Sequence, residues 1–104
     1  MTTTIENPDK NIEQVPDKAG VYGYWAKSKN TGKQGKCKYV GQSDSLRRRL
    51  REHLSDDEDN QCLKDFVKKY VIIMVYDLMP NSSEDDRMKK EKEWVQKYSP
   101  ECNK

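Results

Sequence analysis

The sequence has no long apolar run, although the chain extends over 104 residues. No stretch approaches the roughly 20 apolar residues that a membrane-spanning helix requires. The N-terminus also lacks the short hydrophobic segment that is typical of a secretory signal peptide. These absences argue against a helical membrane protein and predict a soluble, intracellular protein, which we place in the cytoplasm.

Cysteine is scarce, and the three cysteines show no spacing that is typical of a compact metal site. Cys37, Cys62 and Cys102 form no C-x-x-C pair, and their number is odd. Both features favour free thiols in a reducing compartment. A zinc site that combines the cysteines with His53 is the alternative, but its spacing is unlike that of any compact finger.

An excess of charge of one sign is also missing. Twenty Lys and Arg residues face 18 Asp and Glu residues, and the resulting net charge of +2 excludes a strongly basic, histone-like protein. Charged residues make up 37% and hydrophobic residues 33%, a composition close to that of disordered chains. The polar residues are concentrated in 1–18, 27–38, 55–60 and 81–93, so apolar segments remain between them. We therefore predict one small domain with a core near the lower size limit.

Basic residues are concentrated in the first half of the chain. A basic face of this kind suits the phosphate backbone of a nucleic acid. Taken alone, however, the pattern favours an ordinary solvated surface, because that is what most charge runs form. The residues are Lys27, Lys29, Lys33, Lys36, Lys38, Arg47, Arg48, Arg49 and Arg51.

The apolar patterns predict an α+β fold with the element order β-β-α-α-β-α. Strands are predicted over residues 20–26, 37–40 and 71–79, with a loop over 27–36 between the first two. Helices are predicted from Ser43 or Ser45 to about residue 54, from Ser55 to about 70, and from about 81 to 98. Ser55 and Glu58 fit a capping box for the second helix. Residues 1–15 are expected to form a flexible segment that precedes a domain over 16–104.

A carboxylate interrupts the apolar stripe of the last predicted helix. Met88, Trp94, Val95 and Tyr98 lie on one side of that helix, and Glu91 lies in the middle of the same side. Burying a carboxylate is costly unless it is paired or binds a metal ion. The pattern alone leaves three alternatives open: a metal ligand, a buried pair with an arginine, and a glutamate at the exposed end of the stripe.

The Arg-rich helix shows a similar departure from its pattern. Leu46 and Leu50 mark its inner face, and Arg49 and His53 flank that face on one side. Arg49 alone would be one surface charge among several, and His53 alone would be a half-buried packing histidine. Their shared position predicts that one guanidinium and the only imidazole lie at the rim of the core.

Two tripeptides and a set of spacings connect these residues. Gly20-Val21-Tyr22 and Tyr39-Val40-Gly41 lie in the first two predicted strands. Arg49 follows Tyr39 by ten residues, and His53 follows Arg49 by four. Asn103 follows Glu91 by twelve residues and Pro100 by three. Without this set, the tyrosines would be ordinary cross-strand aromatics, Gly41 a turn glycine and Asn103 part of a frayed end.

Over residues 16–103 the sequence resembles the GIY-YIG nuclease domain family, with Val as the middle residue of both tripeptides. The resemblance implies a small three-stranded antiparallel sheet flanked by helices, with the first strand in the middle. It implies an endonuclease that hydrolyses phosphodiester bonds in DNA with one divalent ion, Mg²⁺ or Mn²⁺.

The resemblance also assigns the catalytic residues. Glu91 would be the single protein ligand of the metal ion, and Arg49 would hold the scissile phosphate. Tyr22 would be the general base, helped by His53, once a neighbouring group lowers the pKa of its phenol. The remaining catalytic candidates are Tyr39, which would bond the phosphate or order the water, and Asn103, which would bond backbone groups.

Contacts to the nucleic acid are expected from the same region. The glycine after the second strand would let the chain approach the phosphate closely, and neighbouring polar and basic side chains would contact the backbone without reading sequence. The candidates are Lys38, Gly41, Gln42, Arg47, Arg48 and Arg51.

Two rival functions remain open at this stage: a non-catalytic module that binds nucleic acid or protein through the same surface, and a structural subunit that binds a partner through exposed aromatics. The chain leaves no room for a separate targeting domain, so we expect weak sequence preference, or dependence on a partner or a homodimer. Branched or flapped DNA and RNA remain alternative substrates. The sequence does not distinguish DNA repair from recombination, mobile-element or defence roles.

Overall fold

A computed structural model describes residues 2–27 and 33–103. Within these residues, four strands and three helices follow one another, with a 3₁₀ turn at Ile12–Gln14. The strands are β1 (Thr3–Glu6), β2 (Gly20–Lys27), β3 (Gln34–Ser43) and β4 (Val71–Leu78), and the helices are α1 (Leu46–Leu54), α2 (Gln61–Lys69) and α3 (Glu84–Tyr98).

The strands form one antiparallel sheet in the order β1-β4-β2-β3. Strand β2 lies inside the sheet, where Tyr22 is opposite Gly41 of β3 on one side and Tyr76 of β4 on the other. The predicted α+β fold and the inner position of the strand with the first tripeptide are confirmed. The predicted number of three strands is wrong, because β1 adds a fourth.

The N-terminal segment belongs to the folded structure. Residues Thr3–Glu6 pair with β4, Ile5 packs into the core, and Val15 is completely buried. The prediction of a frayed segment is therefore wrong for this part of the chain. The polar composition of this segment predicted disorder. A short edge strand, however, needs only one apolar residue that faces the core.

The start of the first helix and the end of the last helix agree with the sequence prediction. The side chain of Ser45 accepts a hydrogen bond from the amide of Arg48 at the start of α1. Ser83 and Asp86 form a reciprocal capping box at the start of α3. That helix ends at Tyr98, which is the end predicted from the sequence.

The start of the second helix differs from the prediction. Ser55 ends α1, and α2 begins after Asn60, whose side chain accepts a hydrogen bond from the amide of Leu63. The capping box that we predicted for Ser55 and Glu58 does not form. Both Ser55 and Asn60 are good N-cap residues, so local preference alone does not decide between them. Glu58 consequently lies in the α1–α2 loop and is available for other contacts.

Alternate residues of β2 contribute to apolar clusters on the two faces of the sheet. On the face covered by α1 and α2, Tyr22 and Tyr24 pack with Leu46, Leu50 and the inner residues of α2. The opposite cluster, beneath α3, comprises Val21, Trp25, Cys37, Val40, Ile73 and Trp94. The stripe predicted for α3 is only partly correct, because the side chain of Met88 is 52% exposed whereas Arg87 is buried.

The C-terminal segment is joined to α2 by a disulfide bond between Cys62 and Cys102. The prediction of free thiols is wrong for these two residues and correct for Cys37, which is buried. The pairing depends on long-range packing, since the amide of Cys102 donates a hydrogen bond to the carbonyl of Lys38 in β3. The cysteines therefore no longer argue for a reducing compartment, and the cytoplasmic location stays a prediction.

Within the described residues, no helix is long and apolar enough to cross a membrane.

We predict that reducing the disulfide bond lowers the free energy of unfolding. The bond joins residues separated by 40 positions, and cross-links of this kind typically contribute about 2–4 kcal/mol. Urea unfolding with and without dithiothreitol measures the effect. The double variant Cys62→Ser/Cys102→Ser is the control, because its midpoint should not respond to the reductant. An unchanged midpoint for the wild-type chain would contradict the prediction.

Candidate active site

The hydroxyl of Tyr22 and the ring of His53 meet at the centre of the site. Tyr22 lies on the inner strand β2 and His53 on the last turn of α1, and their Oη and Nε2 atoms are 2.7 Å apart. The other ring nitrogen of His53, Nδ1, lies 2.6 Å from Oε2 of Glu58. Three side chains from a strand, a helix and a loop thus form one continuous chain of hydrogen bonds.

Aromatic rings surround this chain of hydrogen bonds. The ring centres of Tyr39 and His53 are 5.1 Å apart, and those of Tyr22 and Tyr24 are 5.2 Å apart. The edge of the Tyr24 ring packs perpendicular to the imidazole. His53 is therefore a buried residue within an aromatic cluster, rather than a residue at the rim of the core.

Burial controls the protonation of both central groups. It raises the pKa of Tyr22 well above 10, and the hydroxyls of Tyr24 and Tyr39 add to the rise, while Arg49 opposes it. Arg49 therefore does not bring the pKa of Tyr22 below its ordinary value as expected, because desolvation outweighs the guanidinium. Burial also lowers the pKa of His53 below 6.5, against the opposing effect of Glu58. At neutral pH the pair consists of a neutral phenol and a neutral imidazole.

Arg49 lies beside both motif tyrosines. Its guanidinium interacts with both hydroxyls and opposes the rise in the pKa of Tyr22 and of Tyr39. Its Nη1 atom also donates to Oε1 of Glu52 at 3.0 Å, and 37% of its side chain is exposed. A guanidinium has further N–H donors, so this contact leaves donors for an incoming anion.

Glu91 lies on α3 and interacts electrostatically with Tyr39. Burial raises the pKa of Glu91, and the carboxylate in turn contributes to the raised pKa of Tyr39. Among the residues that the structure describes, it has no hydrogen-bond or ion-pair partner. It borders an open depression of about 320 Å³ that is also lined by Met88, Lys92, Val95 and Asn103.

This carboxylate is the residue best suited to hold a metal ion. An unpaired, half-buried carboxylate gains stability from a bound cation, because burial disfavours its isolated charge. Within residues 2–27 and 33–103, no three His, Cys, Asp or Glu side chains cluster in a way that would hold an ion. A hard divalent cation at Glu91 would therefore take most of its ligands from water and from substrate oxygens.

Asn103 connects the C-terminal segment to the second tripeptide. Its Oδ1 accepts a hydrogen bond from the amide of Val40 at 2.9 Å, and its Nδ2 donates to the carbonyl of Val40 at 2.7 Å. Both outward-facing backbone groups of Val40 are thereby satisfied. Tyr39 and Gly41 flank Val40 in β3. The two hydrogen bonds between Asn103 and Val40 therefore help to fix the direction of the Tyr39 side chain.

Gly41 has a packing requirement that the sequence did not reveal. A Cβ atom at this position would lie 2.4 Å from the hydroxyl oxygen of Tyr22 and 2.6 Å from its ring carbon Cζ. Any side chain would displace the Tyr22 ring. The glycine therefore makes space for the catalytic tyrosine candidate, and its approach to a phosphate stays a prediction.

The residues predicted to contact nucleic acid do not lie on one uniform surface. Gln42, Arg48 and Arg49 line a groove of about 440 Å³ together with Ser43, Asp44, Glu52, Glu84 and Arg87. Arg51 lies beside Arg47 and Arg48 in a neighbouring depression. Lys38 is separate from both, because it pairs with Glu101 near the disulfide bond.

Some of these basic side chains already have intramolecular partners. Arg47 donates to the carbonyls of Glu13 and Val15 and so holds the N-terminal segment against α1. Arg48 pairs with Asp44, which lies just before the N-cap residue of α1. Residues 28–32 of the predicted loop, with Lys29, lie outside the described residues.

Two polar residues of the site were not found from the sequence. Glu58 was assigned to a helix cap, and only the observed start of α2 shows that it faces His53. Arg87 donates from Nε to Oε1 of Gln42 at 3.0 Å and from Nη1 to the carbonyl of Ser82 at 2.9 Å. The sequence pattern did not indicate that Arg87 is buried, because it assigned the neighbouring Met88 to the inner side of α3.

The sheet, the helices and the tyrosine–arginine–glutamate arrangement define a small nuclease-type domain. The model of the GIY-YIG catalytic domain family matches residues 18–104. The chain therefore belongs to the GIY-YIG family of nuclease domains. No curated protein sequence gives a significant match.

Solved structures of the GIY-YIG N-terminal endonuclease domain of UvrC from Thermotoga maritima have the same fold. The form bound to magnesium as its catalytic divalent cation is 23% identical, with a TM-score of 0.63, over 92% of this chain and 94% of that chain. A tyrosine-to-phenylalanine mutant bound to the cation is 22% identical, with a TM-score of 0.64, over 92% and 93%. At this identity the similarity establishes the fold.

We predict opposite effects on stability for two matched tyrosine variants. Tyr22→Phe removes the partner of a buried ring nitrogen, which should cost about 1–3 kcal/mol in the free energy of unfolding. Tyr24→Phe removes a buried hydroxyl that has no hydrogen-bond partner among the described residues. This change should be neutral or slightly stabilising. Urea unfolding of both variants gives the comparison, and equal losses of stability would contradict it.

Proposed function

We propose that the chain is a divalent-metal-dependent endonuclease that hydrolyses phosphodiester bonds in DNA with little intrinsic sequence specificity. The observation that carries the proposal is the continuity of the site. A neutral tyrosine–histidine pair, an arginine and a carboxylate that has no partner among the described residues all interact with Tyr39. Hydrolysis of a phosphodiester requires a proton acceptor, a cation for the phosphate and a means to stabilise the leaving oxygen, and these groups supply all three.

The pairing of Tyr22 with His53 supports a route for the proton of the attacking water. A phenol with a raised pKa is a poor base by itself. If its own proton passes to Nε2 of His53 as it receives the proton of water, no free phenolate needs to accumulate. The water oxygen would bond to phosphorus as the bond to the leaving oxygen breaks, and the imidazolium would then hold the proton.

Arg49 is suited to hold the scissile phosphate. Its guanidinium interacts with both hydroxyls, is partly exposed, and lines the groove that contains Gln42 and Arg48. A guanidinium can donate two parallel hydrogen bonds to phosphate oxygens and compensate the charge that develops on them. Its contact with Glu52 would keep the side chain oriented while the remaining donors bind.

Glu91 would hold the metal ion, for which we propose Mg²⁺ or Mn²⁺. The similar domains of Thermotoga maritima UvrC carry a divalent cation described as catalytic, and one of them carries magnesium. A bound ion would stabilise negative charge on the phosphate and the leaving 3′ oxygen. Repair or recombination is a fitting context for DNA cleavage of this kind, and a homodimer or partner would supply targeting.

We predict that Glu91→Gln and Arg49→Ala each reduce plasmid nicking by at least about 100-fold in the presence of Mg²⁺ or Mn²⁺. Loss of one transition-state contact commonly costs this much. Glu93→Gln is the matched control, because Glu93 is exposed on the same helix and should keep full activity. DNA binding should persist in Glu91→Gln. Wild-type protein that binds DNA but nicks none with either ion would instead identify a non-catalytic binding module.

We also predict a fall in the cleavage rate on the acidic side. His53 accepts a proton only when neutral, and burial lowers its pKa below 6.5. The rate should therefore vary little as the pH is lowered from 7 to the pKa of His53. Below that pKa, the rate should fall about tenfold per pH unit. Single-turnover nicking rates at saturating metal measure the profile. His53→Phe should remove this limb together with most of the activity.

A further inference from the structure

The ring of His53 is held at both nitrogens, and the two partners differ in what they can donate. Tyr22 can donate or accept through its hydroxyl, whereas an ionised carboxylate can only accept. Nδ1 of His53 lies 2.6 Å from Oε2 of Glu58. If Glu58 is ionised, Nδ1 must therefore carry the proton, and Nε2 is left with its lone pair directed at the Tyr22 hydroxyl 2.7 Å away.

The environment of Glu58 keeps it ionised. Burial by itself raises the pKa of its carboxyl, but the hydrogen bonds from His53 and from the amide of Asn60 outweigh this effect and lower the pKa below its usual value. The amide of Asn60 donates to Oε1 at 3.1 Å, so each carboxylate oxygen has its own donor.

The carboxylate is also held rigidly in place. Only 1% of the His53 side chain and 8% of the Glu58 side chain are exposed. Asn60 caps α2 with its side chain and donates from Nδ2 to the carbonyl of Cys102. The loop that carries Glu58 is thus tied to the start of a helix and to the C-terminal segment. A fixed acceptor of this kind sets both the tautomer and the orientation of an imidazole.

We propose that Glu58 is a positioning residue that holds His53 in the Nδ1–H tautomer, so that Nε2 accepts the proton of Tyr22. The proposal deepens the proposed nuclease function and rests on it for its catalytic consequence. After the proton transfer, the carboxylate faces an imidazolium and compensates its charge. Without Glu58 the ring could carry its proton on Nε2, and Nε2 would then donate to Tyr22 rather than accept from it.

The alternative is a purely structural role, in which Glu58 only satisfies a buried ring and a helix amide. Such a role affects stability but not which ring nitrogen of His53 carries the proton. Other groups that face the ring contribute to its titration in both cases and remain in the Glu58 variant. They are Tyr22, Tyr24, Tyr39, Arg49 and Glu52.

The tautomer can be read directly, because the chain has a single histidine. A long-range ¹H–¹⁵N spectrum of ¹⁵N-labelled protein at pH 7 reports which ring nitrogen carries the proton. We expect the Nδ1–H form in the wild type and a growing Nε2–H population in Glu58→Gln. Asp57→Asn is the matched control, because Asp57 is exposed in the same loop and should leave the spectrum unchanged.

Nicking kinetics give the second measurement. Glu58→Gln should lower the plateau rate about 10- to 100-fold, by comparison with the loss of other residues that orient a histidine. Its acidic limb should move to lower pH, because the carboxylate that favours the imidazolium is gone. Asp57→Asn should keep the wild-type profile. Glu58→Asp should recover part of the rate if its shorter side chain reaches Nδ1.

The outcomes separate this proposal from the proposed function. A wild-type ring protonated at Nε2 overturns the role of Glu58, whether or not DNA is cleaved. A folded Glu58→Gln protein with the wild-type tautomer and rate profile overturns it as well. The Nδ1–H form in the wild type, lost in Glu58→Gln, supports it. If that wild-type protein nicks no DNA, the nuclease function fails while the control of the tautomer by Glu58 stands.

Discussion

The hydrogen bond between the buried hydroxyl of Tyr22 and the ring of His53 is the contact on which the site depends. It joins the inner strand of the sheet to the end of α1, and it satisfies two polar groups that have almost no access to water. An unsatisfied polar group at such a depth is costly. The glycine opposite the tyrosine leaves space for its ring, so this contact also restricts the choice of residue at position 41.

Burial shifts the pKa values of Tyr22 and His53 in opposite directions, and both shifts favour the neutral form. It disfavours the phenolate of Tyr22 and the imidazolium of His53, so both are neutral before any reaction. Separately, neither is a strong base. Together they can receive a proton at the tyrosine and store it on the histidine, provided that the ring faces the right way. The carboxylate of Glu58 and the guanidinium of Arg49 supply the nearby charges.

The fold and most of the site could be predicted from the sequence wherever a local pattern was sufficient. The stripe of Leu46 and Leu50 placed His53 beside the core, and Ser45 was one of the two serines predicted to start the first helix. The failures concern contacts between distant segments. The sequence contains two good caps before α2, and only packing selects Asn60, which in turn frees Glu58 for His53. The Cys62–Cys102 bond and β1 likewise depend on contacts that spacing along the chain does not encode.

The C-terminal segment completes the site by closing the edge of β3. An edge strand exposes unpaired amides and carbonyls, and nothing in the strand itself fixes its twist there. Cys102 and Asn103 bond to Lys38 and Val40, the residues on either side of Tyr39. The disulfide bond and Asn60 then tie the same segment to α2. The backbone on both sides of Tyr39 is thereby held in place, and its hydroxyl interacts with the charges of Arg49 and Glu91. An asparagine near the chain end thus helps to set the geometry of a site formed mainly by the sheet and helices.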